Sequence, residues 1–358
     1  MNNRLYSVIT GTGSYIPDRR VPNSDFLNHT FRDSDGTLFK RSNKEVIRKF
    51  EEITGIRERR YVGDDLLASD MGAIAAEKAL LNAAVCAESL DYIIVAHNFG
   101  DVRPDNIKVD MLPSLASRIK QKLGIKNPEC IAYDLPFGCP GWLQGIIQSD
   151  YYLRSGDAKK ALVIGTETLS RVCDPHDRDS MIYADGAGAA VIEGRTGDKA
   201  TGILSHTTRT DTEHEAFYLT MNRSFRHNCD DTLYLKMEGR KLYQYALTNV
   251  PGVVKKCLEK SGLGLHQISK VLIHQANAKM DEAILNRLFK LCDVSMDLDD
   301  LMPMTISTLG NSSVATIPTM LDLILSGRME GHHIHPGDNI VFASVGAGMN
   351  INAVVYRV

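Results

Sequence analysis

The chain repeats itself. Residues 76–97, AEKALLNAAVCAESLDYIIVAH, pass through a helical pattern, a short turn and an apolar strand, and residues 254–275, VKKCLEKSGLGLHQISKVLIHQ, pass through the same order. In this alignment Leu90 falls opposite Ile268, Ile93 opposite Val271 and Ala96 opposite His274. A second echo follows in each copy, where SGDAKKALVIG (155–165) and PGDNIVFAS (336–344) both lead from a Gly-Asp turn into an apolar, β-branched strand. Strands that are apolar on both faces need cover on both faces, so each copy predicts an α/β unit, and together they predict two halves sharing a helical interior. The junction is expected near 195–205, giving halves of 1–197 and 198–358. The repeat is far too long for a solenoid. One polar stretch, 28–49, fits neither copy; it holds Asp33-Ser34-Asp35-Gly36 before gaining helical character, and reads as an insertion carrying a surface hairpin or loop.

With 358 residues, 43% of them hydrophobic and 24% charged, the chain can bury a large core. A net charge of -3 offers no general attraction for nucleic acid or an anionic membrane. No run of 18 apolar residues is present, and Met1-Asn2-Asn3-Arg4 leads directly into a strand pattern, so the expected compartment is the cytoplasm. The seven cysteines (Cys86, Cys130, Cys139, Cys173, Cys229, Cys257, Cys292) are odd in number and lack a CxxC pair, which argues against a disulfide frame or a structural zinc site.

Cys139 stands apart from the others by its setting. In YDLPFGCPGWLQGIIQSDYYL a strand is followed by a Gly138-Cys139-Pro140-Gly141 turn and then a helical run, with Pro140 suited to the first helical position. A thiol at a helix N-terminus meets unpaired amides and the positive end of the dipole, which favour the thiolate and predict a lowered pKa. Two readings fit: a nucleophile for an acyl thioester, or a small buried residue beside a tight turn. His274 closes the apolar strand VLIHQAN, and Asn311 lies in the small-residue turn STLGNSSVATIP; each fits either a cleft or a satisfied polar core position. The DGAGAA run (185–190) lacks nucleotide-binding spacing and reads as a tight turn between strands, and His332-His333-Ile334-His335 reads as a solvated loop.

From ITGTGSYIPDRRVPN (9–23) through TGIRERRYV, GCPG, RVCDPHDR, YADGAGAAVI, YLKMEGRKLYQYAL, IHQAN and LGNSS to SVGAGMN (344–350), the sequence resembles the β-ketoacyl-acyl-carrier-protein synthase III family of thiolase-fold condensing enzymes. The resemblance implies a layered αβαβα body and decarboxylative condensation of a Cys-bound acyl primer with a malonyl group on acyl carrier protein. Head-to-head joining of two acyl thioesters, and acyl transfer to a hydroxyl or amine, are the alternatives within the fold. Residue by residue, it implies Cys139 as acyl acceptor, His274 and Asn311 as donors to the second thioester's carbonyl, and the amides of Cys139 and Ala347 as the first oxyanion hole. It implies no cofactor and no metal, with coenzyme A and carrier-protein thioesters as substrates, and a homodimer in which Leu112 approaches the partner's pocket. Arg178 is carried over as a substrate-binding residue and Lys279 as a basic position at the tunnel mouth, with Arg287 and Lys290 on the same helical sector. A tryptophan and an arginine that the family uses to hold the coenzyme A adenine are replaced by Lys49 and Ile53. That replacement predicts a preference for carrier protein over free coenzyme A.

Overall fold

The computed structural model describes residues 4–227 and 231–358, so Cys229 lies outside the described residues. Two main sheets are present. The first has the spatial order Arg4–Tyr15, Asp185–Gly197, Lys160–Thr168, Tyr92–Ala96, Ile131–Leu135; the second has Gly202–Thr210, Asn350–Arg357, Asn339–Gly346, Lys270–Ile273. In each, one parallel pair corresponds to the duplicated strands: Tyr92–Ala96 beside Lys160–Thr168, and Lys270–Ile273 beside Asn339–Gly346. The chain passes from one sheet to the other between Gly197 and Gly202.

The strand Lys160–Thr168 is buried at every position but its first, as its apolar run requires. One face of the first sheet packs on the helices Ala68–Ala83 and Leu115–Lys122, and the outer face of the second packs on Gly239–Ser261 and Ala278–Cys292. Between the sheets lie Gly141–Ser155 and Thr316–Leu325, so the body has five layers in the order helix, sheet, helix, sheet, helix. That middle layer joins residues of both halves, among them Ile94, Trp142, Met320, Leu272 and Phe342, with the Trp142 and Phe342 rings edge to face at 6.1 Å. Truncating a side chain as enclosed as Ile94 to alanine costs on the order of 2–5 kcal/mol.

The stretch 28–42 is irregular, with a single bridge between Arg32 and Leu38, and the chain then enters the helix Asn43–Thr54, whose first amides are capped by Ser42. It packs on the loop around Pro175 and His176: Arg32 N donates to His176 O at 2.9 Å, and His176 Nδ1 lies 2.9 Å from Thr30 O. A hairpin, Leu219–Arg223 with Leu233–Met237, lies beside it. Lys236 on that hairpin is buried between Asp174 (2.6 Å) and Asp177 (3.1 Å), and Asp174 also accepts from Ser224 Oγ and Phe225 N, so a single carboxylate ties down both strands.

Candidate active site

Cys139 sits where the strand Ile131–Leu135 gives way to the helix Gly141–Ser155. Two glycines let the halves meet there. Gly138 has φ +66°, and a Cβ on it would lie 2.7 Å from both N and O of Ala347; a Cβ on Gly346 would lie 2.5 Å from Cys139 N. Gly138 is therefore in backbone contact with Ala347 and Gly346 with Cys139, with Cys139 just before the helix Gly141–Ser155 and Ala347 the first residue of the turn Ala347–Met349.

His274 follows directly on the strand Lys270–Ile273, its amide donating to Ala343 O at 2.8 Å. It is 3% exposed, and its Nδ1 is buried without a hydrogen-bond partner. Burial pulls the imidazole pKa down to about 4, opposed by the Ser313 backbone, so the ring is neutral at physiological pH. Asn311 is stitched to the other half: its N donates to Ile182 O (3.0 Å) and its O accepts from Ala184 N (2.8 Å). Its Oδ1 accepts from Ser313 N at 2.8 Å, which orients the amide and leaves the NH2 group to donate.

All three residues line one cavity of about 220 Å3, whose remaining wall is mostly apolar and includes Phe99, Leu169, Met221, Leu235 and Val345. Leu219, Met221, Leu235 and Met237 come from the hairpin, which thus roofs the cavity. Ala347 also lines it. Cys139 is half-buried as a residue, but its sulfur lies within the walls of the site, where it accepts from Ser313 Oγ at 3.3 Å. Its pKa runs against the expectation drawn from the helix terminus. Burial pushes it up to about 11, and the nearby Glu167 adds to the rise, while Ser313 and the local backbone act in the opposite sense. The helix end is where the sequence placed it, but the loss of water around the sulfur is a property of the assembled body and outweighs it.

A second cavity of about 510 Å3 adjoins the first and shares Ile182, Met237, Leu242, Ala276 and Met280 with it. Its outer wall carries Arg41, Lys49, Arg178 and Arg240 against Asp179 alone among the acidic residues. Arg178 lies here, its guanidinium 5.7 Å from the Phe39 ring and 3.2 Å from Asp179. Lys49 and Ile53 line this cavity as well, together with Phe39 of the 28–49 segment. Lys279 is exposed on the first turn of its helix beside this cavity without lining it, and Arg287 is engaged by Leu247 O at 3.0 Å. Leu112 belongs to neither cavity and is 87% exposed, with Met111 and Val109 exposed nearby.

One buried residue behind the cavity wall, bonded to the lining residue Asn98, was not singled out from the sequence. Glu167 is 1% exposed, accepts a short hydrogen bond from Asn98 Nδ2, and is pushed by burial up to about 8. Its signal in the sequence is a carboxylate near the end of the otherwise apolar run KALVIGTETL. Only the fold places it beside Cys139.

Comparison with known proteins fits this geometry. Residues 133–212 match the family described as 3-oxoacyl-[acyl-carrier-protein] synthase III, and residues 258–358 match its C-terminal domain. A β-ketoacyl-[acyl-carrier-protein] synthase III of Xanthomonas campestris pv. campestris is 33% identical over 362 residues, covering 100% of both chains. The chain belongs to the 3-oxoacyl-acyl-carrier-protein synthase III family. A β-ketoacyl-[acyl-carrier-protein] synthase III 1 of Vibrio vulnificus is likewise 33% identical, covering 99% of this chain and 100% of its own. Among solved structures, the 3-oxoacyl-[acyl-carrier-protein] synthase III of Aquifex aeolicus superposes with a TM-score of 0.79 at 28% identity, covering 98% of this chain and 100% of that one. The family is one of acyltransferases, and the five-layered body is the thiolase fold. No helix among the described residues is long and apolar enough to cross a membrane.

Proposed function

We propose that this chain condenses an acyl group held on Cys139 with a malonyl group on acyl carrier protein, releasing carbon dioxide and a 3-oxoacyl carrier protein. The observation that carries this reading is the convergence of Cys139, His274 and Asn311, from segments of both halves, on one cavity with an apolar lining and a cationic vestibule. In the first step the Cys139 sulfur attacks a thioester carbonyl, and the amides of Cys139 and Ala347 receive the developing oxyanion. In the second, loss of carbon dioxide from the malonyl group leaves an enolate oxygen that the neutral His274 and the Asn311 amide stabilise by donation. A neutral donor suits this step, since a protonated imidazole would have to be retained in a buried, uncompensated site. The enolate carbon then attacks the acyl carbonyl and frees Cys139.

The vestibule's cations suit the phosphate of a pantetheine arm, with Arg178 among them and the exposed Lys279 outside as a docking charge for an acidic carrier. We assign coenzyme A and carrier-protein thioesters as substrates and no metal or organic cofactor. The exposed Leu112 loop is the surface we assign to a homodimer, with Leu112 entering the partner's pocket. The test is incubation with a panel of acyl thioesters on both carriers, followed by malonyl carrier protein. A carbon-carbon product with carbon dioxide release supports condensation. A product lacking the malonyl carbons points to head-to-head joining or acyl transfer instead.

A further inference from the structure

The hydroxyl of Ser313 is aimed at the Cys139 sulfur by a neighbour that the proposed reaction does not use. Ser313 Oγ donates to Cys139 Sγ at 3.3 Å, and the same oxygen accepts from Asn98 Nδ2 at 3.2 Å. The Asn98 nitrogen gives its other hydrogen to Glu167 Oε1, so both of its N–H bonds are engaged and the amide is held with its nitrogen toward the serine. That orientation decides where the hydroxyl points. With the amide oxygen in the same place, Ser313 would donate to Asn98 and turn from the sulfur. Ser313 is 3% exposed and has φ +54°, a backbone that suits glycine and strains other residues. Its amide is fixed there by donating to Asn311 Oδ1 at 2.8 Å. A serine in a place where glycine is unstrained points to a use for its side chain.

We propose that Ser313 is a further catalytic residue, whose hydroxyl stabilises the Cys139 thiolate by donating to it, and that Asn98 is the positioning residue that keeps the hydroxyl turned to the sulfur. Before attack the Cys139 S–H bond breaks, its proton goes to water, and the electron pair stays on the sulfur that Ser313 faces. That pair forms the new sulfur-acyl bond, the incoming thioester's C–S bond breaks, and its sulfur leaves as a thiolate that takes a proton from water. In condensation the acyl-sulfur bond breaks, its electron pair returns to Cys139, and the same hydroxyl receives it. Ser313 keeps its own proton throughout. The inference deepens the proposed function and rests on Cys139 being the acyl acceptor.

The surroundings give the sulfur little other help. Among the described residues no lysine or arginine lines this cavity. The titratable groups that face the sulfur are Glu167, Tyr183 and His274. Glu167 opposes a second negative charge, while burial keeps Tyr183 and His274 neutral. Burial also works against the thiolate itself, and the Ser313 hydroxyl is the largest of the influences that favour it. Asn98 and Ser313 are 215 residues apart, and Ser313 and Cys139 are 174 apart, so the fold alone assembles the arrangement.

The test reads the thiolate without acyl transfer. Alkylation of Cys139 by iodoacetamide is followed on its own peptide by mass spectrometry, using the full chain from about pH 7 to 9, where the rate follows the thiolate fraction. Ser313→Gly removes the hydroxyl, suits the φ of +54° and keeps the amide that bonds Asn311. Its Cys139 should react about 10-fold more slowly than wild type across that range, as for loss of a hydrogen bond to a charged group. The variant is smaller than wild type, so slower reaction is not blocked access. Asn98→Ala should slow the reaction less, and the double variant should be no slower than Ser313→Gly alone, because Asn98 acts through the hydroxyl. Ser313→Ala repeats the comparison if the glycine variant does not fold. A wild-type rate in the folded Ser313 variant overturns the role of Ser313, and further slowing in the double variant overturns that of Asn98. Failure of wild type to acylate Cys139 from any thioester would remove the proposed function and the loading role with it, whereas normal acylation with an unslowed Ser313 variant would overturn this inference alone.

Discussion

The ends of the two duplicated strands show what the duplication left alike and what it changed. After Tyr92–Val95 come Ala96 and His97; after Lys270–Ile273 come His274 and Gln275. The second residue of each pair is buried among polar neighbours. His97 lies 2.9 Å from Asp134 Oδ2 and accepts from Gly100 N at 3.0 Å, while Gln275 donates to Pro303 O and accepts from Thr305 N and Ile306 N. The first residue points inward, and here the halves part. Ala96 packs against the helix Gly141–Ser155 so closely that a Cβ on Gly141 would lie 3.0 Å from its own. His274 instead faces open cavity, with Nδ1 unpartnered. One half uses its strand end to let a helix in, and the other uses the same place to set an imidazole at the cavity, the donor in the function proposed above.

Changes on each side of that comparison should differ in kind. The largest loss is expected where the halves touch: Gly346→Ala puts a methyl 2.5 Å from Cys139 N, and its extended backbone (φ -168°) leaves steric displacement as the whole effect. Acyl loading should fall by about 100-fold or more with the fold retained, as for loss of an oxyanion-hole donor. A single-turnover loading rate within a few-fold of wild type would show that Ala347 is not needed there. Gln275→Leu should do the reverse, leaving two buried amides without an acceptor; stability should fall by about 1–3 kcal/mol in a denaturant titration while loading in the folded fraction is kept.

The effects confined to one side of the pH range are in stability, and their signs oppose. His274 has a folded pKa of about 4, below its ordinary 6.5, so the unfolded chain binds the extra proton and stability is lost as pH falls from 6.5 toward 4. Glu167 has a folded pKa of about 8, above its ordinary 4.5, so the folded chain holds the extra proton and stability falls as pH rises from 4.5 toward 8. Melting curves of His274→Gln should therefore lose part of the wild-type decline on the acid side, and those of Glu167→Gln part of the decline on the alkaline side. Parallel curves for variant and wild type would show that the group's pKa is not shifted by folding.

How much of this was legible in the chain follows from what each feature depends on. The duplication, the buried strands and the helix after Cys139 are local patterns, and the fold realises them where the sequence placed them. His274 and Asn311 were reached by their motifs, and the fold supplies what motifs do not carry: an unpartnered ring nitrogen and an amide oriented by Ser313. The rise in the Cys139 pKa was not legible, because it comes from the walls around the sulfur rather than from the helix end beside it. Glu167 was hidden for the same reason, since its partners Asn98 and Ser313 are distant in sequence. The wall of the second cavity was only partly legible, since the compared positions named Lys49 and Ile53 but not Phe39. Phe39, from the 28–49 stretch that fits neither copy of the repeat, lines the same cavity 5.7 Å from the Arg178 guanidinium.

The division of labour between the two strand ends is the central claim, and it can be measured on one variant. His274→Ala is loaded with an acyl thioester, the acyl-enzyme is confirmed by intact mass, and malonyl carrier protein is then added while the acyl mass is followed. Loading at close to the wild-type rate, with discharge slowed on the order of 100-fold or more, is the predicted result, and Asn311→Ala should match it. Loading and discharge slowed equally in both variants would contradict the account, because it would place His274 and Asn311 at the first thioester rather than at the enolate of the second.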